Sequence, residues 1–518
     1  MSRDTVSDVD PIAKTRYGKI RGTLEDGLCV FRGIPYAEPP IGPRRFGAPQ
    51  PPAPWTGVRE ARSFGAPAPQ IPGILARLLG SDTDLASEDC LFLNLWTPAL
   101  DEGRRPVMVW IHGGSFASGT AGSPIYDGSS LARRGDVVVV TFNYRLGALG
   151  FLALSRFEEE EGVFGNVGLL DQIAVLDWVK EHISRFGGDP ECVTVFGESA
   201  GAMSAGTLLA TPLARGLFRR AVLQSGGAEN VSSREEAARV GTCFLEELGL
   251  EGSETERLRS VPVADLLAAG QRTAAKLWRN LSGLTFQPVV DRRVIPAPPL
   301  ERIRSGCAAG VSLLVGSNRD EYRLWSLVDP KAKELDGAAL LRRCRRNIPG
   351  EREDGTSHAA RAIEAYVRAR QGRASVEAPE LWFAIESDRL IRAPALRLAE
   401  LQHRHERQTY AYLFTWTSPA MEGALGSCHG LEIPFVFGTL NHPGISALAG
   451  VGPAAERLSV LIQEAWLAFA RFGDPSHSEL GDWLPYDPER RPTQLLGPRC
   501  ELENAPFEEE RRFWDELP

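Results

Sequence analysis

The chain has 518 residues, of which 43% are hydrophobic and 24% charged, and its formal net charge at pH 7 is −9. This is an ordinary globular composition, with ample apolar material for a large core. The negative balance excludes the basic electrostatic footprint that nucleic-acid-binding proteins carry.

The first eighteen residues carry charge throughout and contain no apolar segment typical of a secretory signal. The most apolar short run, VVVVTF at 137–142, is typical of a buried strand and is too short to cross a membrane. The eight cysteines have no CxxC spacing, and the eight histidines show no metal-ligand spacing. The sequence therefore predicts a cytoplasmic protein with reduced thiols, no membrane partner and no metal.

The first predicted elements are two short strands, at 15–24 and 28–36, joined by a turn at Asp26-Gly27. The alternation of apolar and polar residues, with that turn between them, predicts a β-hairpin. A proline-rich stretch at 37–55 follows, and we expect it to be surface backbone.

From Leu91 onwards, apolar strand-like runs alternate with helical patterns, and a strand near 192–198 leads directly into a helix that begins near Ala200. This alternation predicts an α/β fold with a mainly parallel central sheet flanked by helices. The other predicted strands are at 91–96, 105–114, 136–144, 218–226, 312–321 and 409–416, and the main predicted helices are at 168–188 and 458–473.

Two mainly helical stretches, at about 241–285 and 331–408, interrupt the series of strands. Neither an internal repeat nor a low-complexity linker divides the chain. We therefore expect one α/β domain over residues 1–518, with the two helical excursions as the natural place for a cap over a site.

The strongest local motif is Gly197-Glu198-Ser199-Ala200-Gly201, which follows an apolar run and precedes small residues that can start a helix. A serine at a strand-to-helix turn projects its hydroxyl out of the sheet, and small neighbours are what such a strained turn needs. G-x-S-x-G also occurs by chance in unrelated chains, but its position between strand and helix favours Ser199 as a nucleophile.

A second glycine motif, His112-Gly113-Gly114-Ser115, follows the strand that ends at Ile111. Backbone N–H groups on such a loop, together with the one at the helix start beside the serine, can stabilise an oxyanion. Alone, this motif would be interpreted as a plain glycine-rich turn. Its place in chain order before the serine motif supports the oxyanion interpretation.

Of the eight histidines, His429 is the best candidate for a general base, because it lies on a loop after a predicted strand and beside Gly430. The other seven lie in the oxyanion motif, in helical sequence or in polar loops. In this fold the acid lies between serine and histidine in chain order. Asp320 and Glu321 both follow a strand, and sequence order does not choose between them.

The chain resembles the type-B carboxylesterases, the α/β-hydrolase family that also contains the cholinesterases. The resemblance covers the chain from about residue 15 to the predicted helix at 458–473. The matching stretches are FRGIPYAEPPIGPRRF (31–46), SEDCLFLNLW (87–96), WIHGGSF (110–116), NYRLGALGFL (143–152), GNVGLLDQ (165–172), FGGDP (186–190), FGESAG (196–201), RAVLQSG (220–226), GSNRDE (316–321) and CHGLEIPFVFG (428–438).

The resemblance implies a serine hydrolase of short- to medium-chain or aromatic carboxylic esters that forms an acyl-enzyme and needs no cofactor. The expected partner is a small-molecule ester. The residues it implies are a triad of Ser199, Glu321 and His429, oxyanion donors at Gly114, Ser115 and Ala200, Glu198 near the histidine, and Ser225 as a partner for the acid. It also implies an apolar pocket of Leu284, Phe286, Leu324 and Trp325, in which both Leu284 to Phe286 and the residues after Glu321 border the acyl side.

Three departures from the family pattern stand out. Tyr322 occupies the usual glycine position after Asp-Glu, so we expect less open backbone there. Cys90 matches half of a disulfide in secreted relatives, but 63–70 contains no cysteine, which predicts a free thiol. The loop near Gly80 lacks the cholinesterase tryptophan, which disfavours choline esters.

The alternative function is a non-catalytic binding protein on the same fold, as in adhesion relatives of the family. Such relatives typically lose a catalytic residue, whereas all three candidate triad residues are present here. The sequence therefore favours the enzyme.

Overall fold

The fold is described from a computed structural model, which covers residues 10–73, 85–155, 165–277, 281, 283–352 and 354–517. Its main feature is an eleven-stranded mixed sheet with the order β14-β13-β12-β11-β10-β9-β7-β8-β6-β4-β3, beside a small sheet β1-β2-β5. The strands are β1 Ile12–Lys14, β2 Lys19–Arg21, β3 Thr23–Glu25, β4 Leu28–Pro35, β5 Val58–Glu60, β6 Phe92–Thr97, β7 Arg105–Ile111, β8 Val138–Phe142, β9 Gly188–Glu198, β10 Arg220–Gln224, β11 Ser312–Asn318, β12 Thr409–Phe414, β13 Pro492–Leu496 and β14 Glu501–Asn504.

Helices cover both faces of the large sheet, and none in the described residues is long and apolar enough to span a membrane. The α-helices are α1 Ser129–Gly135, α2 Gly147–Phe151, α3 Val167–His182, α4 Ala200–Leu209, α5 Arg234–Glu247, α6 Val263–Leu277, α7 Pro299–Arg304, α8 Gly337–Asn347, α9 His358–Arg370, α10 Ala378–Ser387, α11 Ala393–His403, α12 Ile433–Phe437, α13 Ile445–Ala449, α14 Pro453–Phe472 and α15 Glu508–Asp515.

The centre of the sheet is parallel, since β8, β7, β9, β10, β11, β12 and β13 pair in the same direction. Antiparallel strands lie at both edges, with β14 at one and β6, β4 and β3 at the other. The central strands are buried along their length, as expected where helices cover both faces. The predicted fold class, a mainly parallel sheet flanked by helices, is confirmed.

The predicted hairpin is confirmed, because β3 pairs antiparallel with β4 and Glu25 lies opposite Leu28. Asp26 and Gly27 form the turn with φ of 47° and 82°, and the left-handed region is what a two-residue hairpin turn requires at both positions. The helix predicted at 168–188 ends as an α-helix at His182, and a 3₁₀ turn at Ile183–Phe186 continues it.

The last part of the chain contains elements that the sequence pattern did not predict. After α14, strands β13 and β14 extend the large sheet and α15 follows them. These strands are short, and β13 begins with proline. Short edge elements of this kind are specified mainly by the strand already beside them, here β12, rather than by their own periodicity.

The two helical excursions contain helices as predicted, but only one of them borders the cavity at the carboxyl ends of the parallel strands. Helix α6 of the first excursion lines this cavity. Helices α8, α9 and α10 of the second excursion form a separate hydrophobic cluster with α15, whereas α11 packs mainly on the core beside the large sheet. None of the described residues of these four helices lines the cavity. Of the two excursions expected to provide a cap, the first therefore borders the cavity in the described residues, and the second does not.

Helix α4 begins directly after β9, and its first turn packs tightly against β7. A Cβ atom built on Gly201 would lie 1.9 Å from the carbonyl oxygen of Ile111. A Cβ on Gly197 would lie 2.6 Å from the carbonyl carbon of Gly201. No side chain fits at either distance, so glycine is required for the backbone to turn from strand to helix here.

We expect Gly201→Ala to lower the free energy of unfolding by about 3 kcal/mol or more, because the added methyl group must push α4 away from β7. Gly337→Ala is the matched control, since a Cβ on Gly337 would have no neighbour within 4 Å. Denaturant unfolding of both variants measures the effect, and equal stability of the two would contradict this packing.

Candidate active site

Ser199 lies at the turn between β9 and α4 with φ 56° and ψ −124°. This region is strained for a residue with a side chain, and the surrounding hydrogen bonds hold it in place. Its N–H donates to the carbonyl of Gln224 at 2.9 Å, and its carbonyl accepts from the N–H of Met203 at 2.9 Å. The serine lines the cavity at the carboxyl end of the sheet, as the sequence motif predicts.

The glycine loop after β7 lies directly against this serine. Strands β7 and β9 are parallel neighbours, with Ile111 opposite Gly197, so the loops that follow them emerge side by side. A Cβ on Gly113 would be 3.0 Å from the Cβ of Ser199 and 2.8 Å from a carboxylate oxygen of Glu198. The close approach explains why a glycine stands at this position.

Three backbone N–H groups near Ser199 lack a hydrogen-bond acceptor in the described part of the chain. Those of Gly114 and Ser115 lie on the loop and make no backbone bond. That of Ala200 belongs to the first residue of α4, where no preceding turn supplies an acceptor. Ser115 has a positive φ of 55° although it is not glycine, so the loop is held in a sparsely populated conformation.

His112, the first residue of the glycine-loop motif, is buried. Its ring stacks on Tyr144 with centroids 4.5 Å apart, and the Tyr144 hydroxyl donates to the His112 carbonyl at 2.9 Å. Burial lowers the pKa of His112 to about 4, so this ring is neutral. His112 therefore has a structural place under the loop.

His429 lies on the loop between β12 and α12 and is almost fully buried. Its Nδ1 is 2.7 Å from Oε2 of Glu321, which is fully buried behind it. Because a carboxylate oxygen only accepts, Nδ1–H donates and the lone pair of a neutral ring is at Nε2. His429 lines the same cavity as Ser199.

The structure distinguishes the two neighbouring acids that chain order left open. Asp320 forms ion pairs with Arg319 at 3.0 Å and Arg323 at 3.7 Å, and it accepts the N–H of Ser427. Glu321 points the other way and contacts His429. The candidate triad therefore contains Glu321, while Asp320 supports the loop that carries the histidine.

Glu198 lies on the other side of the imidazole, with Oε1 3.0 Å from Nε2 of His429. Burial raises the pKa of Glu198 above its ordinary value. Burial by itself lowers the pKa of His429, but the charges of Glu198 and Glu321 outweigh it, and the pKa of His429 is raised. The predicted position of Glu198 near the histidine is what the structure shows.

Asn318, Glu432 and Gln224 form a polar network behind the histidine that the sequence pattern did not identify. The Asn318 side-chain amide donates to the carbonyl of Cys428 at 2.7 Å and to Glu432 at 2.6 Å, and its backbone N–H donates to Oε1 of Glu321 at 2.7 Å. Gln224 donates to the other oxygen of Glu432 at 3.1 Å. All three residues lie inside stretches that carry the family resemblance, and that was the available signal.

The expectation that Ser225 is a partner of the acid is wrong. Its hydroxyl is buried and has no hydrogen-bond partner in the described residues. The backbone of Ser225 has a positive φ of 55°, and its N–H donates to the carbonyl of Gly316 at 2.9 Å. The backbone N–H of Asn318 supplies Glu321 with the hydrogen bond expected from the serine.

Tyr322, which replaces the usual glycine, takes part in an aromatic stack beside His429. Trp325 lies against the imidazole with centroids 5.0 Å apart, and Tyr322 stacks on Trp325 at 5.2 Å. The N–H of Tyr322 donates to the hydroxyl of Ser387 at the end of α10, at 3.0 Å. The second helical excursion thus supports the segment after β11 that carries Glu321, here called the acid loop, rather than covering the cavity.

The cavity has a volume of about 540 Å³, and its lining is mainly apolar. All four residues predicted for the pocket, Leu284, Phe286, Leu324 and Trp325, line it. The position of Gly80, where the cholinesterase tryptophan would stand, lies outside the described residues.

Neither a metal-binding cluster nor a disulfide bond is present in the part of the chain described. No group of three or more histidine, cysteine, aspartate or glutamate residues there is arranged to hold a metal ion. The eight cysteines are free thiols, and Cys90 is fully buried. The arrangement of a strained serine, a glycine loop and a histidine on a carboxylate suits acyl transfer.

The comparisons with known proteins agree with this geometry. The model of the carboxylesterase family matches residues 9–514. Para-nitrobenzyl esterase of Bacillus subtilis (strain 168) is 40% identical over 503 residues, covering 97% of this chain and 98% of that protein. Phenmedipham hydrolase of Pseudarthrobacter oxydans is 38% identical over 487 residues, covering 91% and 92%.

Solved structures show the same likeness. The crystal structure of carboxylesterase EST55 of Geobacillus stearothermophilus has a TM-score of 0.86 and 40% sequence identity, and the match covers 97% of this chain and 99% of that one. A para-nitrobenzyl esterase structure has a TM-score of 0.85 and 38% identity, with coverage of 98% and 100%. The chain belongs to the carboxylesterase family and is a carboxylic ester hydrolase.

Proposed function

We propose that the protein hydrolyses small neutral carboxylic esters through a triad of Ser199, His429 and Glu321 and an acyl-enzyme intermediate. The observation that carries this proposal is the position of His429. Its Nδ1 is fixed on buried Glu321 at 2.7 Å, and the ring lines the same cavity as Ser199. A base oriented by a buried acid beside a strained serine is what activates a hydroxyl nucleophile.

In the first half-reaction, Ser199 Oγ bonds to the ester carbonyl carbon while its proton passes to Nε2 of His429. The tetrahedral intermediate collapses, the carbon–oxygen bond to the alcohol breaks, and the imidazolium returns the proton to the leaving alkoxide. Water then attacks the acyl-serine by the same route and releases the acid. Glu321 keeps its negative charge and stabilises the imidazolium in both halves.

The oxyanion donors of the proposal are the N–H groups of Gly114, Ser115 and Ala200. Two observations support this assignment. None of these three N–H groups has an acceptor in the described residues, and all three lie around the turn that carries Ser199. Each donor of this kind contributes about 3 kcal/mol or more to the stability of the transition state.

The proposed substrates are short- to medium-chain or aromatic esters, and no cofactor takes part. The apolar lining of the cavity supports this class. Two relatives are named for hydrolysing para-nitrobenzyl esters and phenmedipham, and we propose similar neutral aromatic compounds for this chain. We further propose a cytoplasmic location, because eight free thiols suit a reducing compartment.

A binding protein without catalysis is the alternative, and the surroundings of His429 argue against it. Buried carboxylates on both sides of one imidazole are costly for a structure with no chemistry to perform.

We expect Ser199→Ala to reduce kcat for a p-nitrophenyl ester by about 10⁶-fold without unfolding, because the triad acts as a unit. A fluorophosphonate probe should label the wild type at Ser199, with loss of fluoride, and should not label the variant. Ser305→Ala, at an exposed serine, is the matched control. Substantial turnover by pure Ser199→Ala protein would refute the nucleophile.

The acid is tested by exchanging each neighbour for its amide. Glu321→Gln should lower kcat by about 10⁴-fold, because an amide neither fixes the Nδ1–H tautomer nor stabilises the imidazolium. Asp320→Asn should cost far less, since Asp320 contacts arginines rather than the histidine. Steady-state kinetics of both variants measure this, and the reverse order of effects would place the acid at Asp320.

The pH dependence follows from the raised pKa of His429. Only the neutral ring accepts the serine proton, so kcat/KM should rise with pH through a midpoint above the ordinary histidine value of about 6.5. Glu198→Gln removes a carboxylate charge that favours the imidazolium, so it should move this midpoint to lower pH. Glu191→Gln, at an exposed carboxylate, should leave it unchanged. A rate independent of pH between 5 and 9 would contradict a histidine base.

A further inference from the structure

Helix α6 forms one wall of the cavity with a continuous face of the helix. The residues that line the cavity are Leu266, Leu267, Gly270, Gln271 and Ala274, which are spaced as neighbours on one side of an α-helix. Gly270 lies in the middle of this face, so the helix backbone itself borders the cavity there.

Glycine inside a helix is unfavourable relative to alanine, so each one needs a reason. At the other interior helical glycines of the described residues, the reason is close packing. A Cβ on Gly168 would lie 2.6 Å from the carbonyl oxygen of Arg145, and one on Gly206 would lie 2.5 Å from the carbonyl oxygen of Gly227. Gly150, Gly201 and Gly241 would likewise meet backbone carbonyl oxygens at 2.1, 1.9 and 2.5 Å.

Gly270 differs from all of these. A Cβ there would meet only the ring of Phe286, at 3.5 Å to Cε2 and 3.9 Å to Cζ, which is ordinary van der Waals contact. The residue has no positive φ, so the backbone does not demand glycine either. Neither packing nor conformation accounts for the missing side chain.

A side chain at Gly270 would reduce the volume of the cavity. Phe286 faces this position and is held in place, because it is almost fully buried and packs edge-on against Phe244 with centroids 6.0 Å apart at 90°. A larger residue at Gly270 would therefore occupy the space between α6 and the Phe286 ring, whose other side packs on Phe244.

We propose that Gly270 is a specificity-determining residue that keeps open a recess beside Phe286 for the far end of the substrate's acyl group. The inference rests on the proposed function and on the acyl side that the family resemblance implies for Phe286, which lines the cavity. The recess is lined by Phe286, Leu266 and bare helix backbone, so it suits an apolar acyl chain of medium length or an aromatic acyl group. Acetyl groups are too short to need it.

The test compares kcat/KM for p-nitrophenyl esters from acetyl to dodecanoyl in the wild type, Gly270→Ala and Gly270→Leu. In Gly270→Leu the ratio of hexanoyl to acetyl kcat/KM should fall by about tenfold or more, because a filled apolar recess rejects added methylenes. Gly270→Ala should shift the ratio in the same direction by less. Ala275→Leu, on the exposed side of the same helix, should leave the profile unchanged.

Thermal unfolding gives a second, independent readout. Gly270→Ala should unfold at the same or a higher temperature than the wild type, because alanine is the better helix former and has room here. A lower midpoint would mean that the glycine is structural, and this would overturn the proposal.

The proposal would also be overturned if kcat/KM in Gly270→Leu depended on acyl length as it does in the wild type. It would likewise be overturned if the variant changed kcat/KM only among acetyl esters that differ in their alcohol. Failure of the proposed function has a different signature. In that case the wild type itself would turn over none of the esters and would not be labelled by the fluorophosphonate.

Discussion

The backbone of α4 touches the backbone of β7, and the arrangement of the candidate site depends on that contact. With Gly201 packed on the carbonyl of Ile111, the chain leaves β9 in a turn sharp enough to hold Ser199 in a strained conformation. The same closeness brings the glycine loop after β7 against the serine. Because β7 and β9 are parallel neighbours, their carboxyl ends bring the glycine loop and Ser199 side by side without any long-range adjustment.

The other half of the site holds several carboxylates in the protein interior, where hydrogen bonds offset the cost of their burial. Three carboxylates, Glu198, Glu321 and Glu432, lie around one imidazole in the interior. Isolated buried charges of this kind are strongly unfavourable. Side-chain amides of Asn318 and Gln224 donate to Glu432, the one of these three carboxylates that does not contact His429 directly. Burial raises the pKa of both Glu198 and Glu432. The resulting field favours a charged imidazole, which is the state that acyl transfer creates transiently.

The two helical excursions lie differently relative to the candidate site. Helix α6 provides a wall of the cavity. The helices around α10 stay away from the cavity and instead hold the acid loop, through Ser387 on the backbone of Tyr322 and through Trp382 edge-on to the ring of Tyr322. Since Tyr322 stacks on Trp325 and Trp325 lies against His429, this second excursion reaches the histidine through packed rings.

The sequence by itself determined what depends on neighbours along the chain. The alternation of strands and helices, the turn at Asp26-Gly27 and the strand–serine–helix motif at Ser199 are local patterns, and the structure has each of them. The family resemblance named Glu321 and the four cavity residues. Spacing did not choose between Asp320 and Glu321, because adjacent residues share the same local sequence and differ only in which way their side chains turn.

Tertiary structure alone decided which groups meet across the fold. The hydrogen bond to Glu321 comes from the backbone N–H of Asn318, whereas Ser225 was the expected donor. Glu432, at the N-terminal end of α12, lies behind the histidine. Tertiary structure also separated two excursions of similar helical sequence into a cavity wall and a support. Amphipathic periodicity shows that a helix buries one face, but it carries no information about the partner on which that face packs.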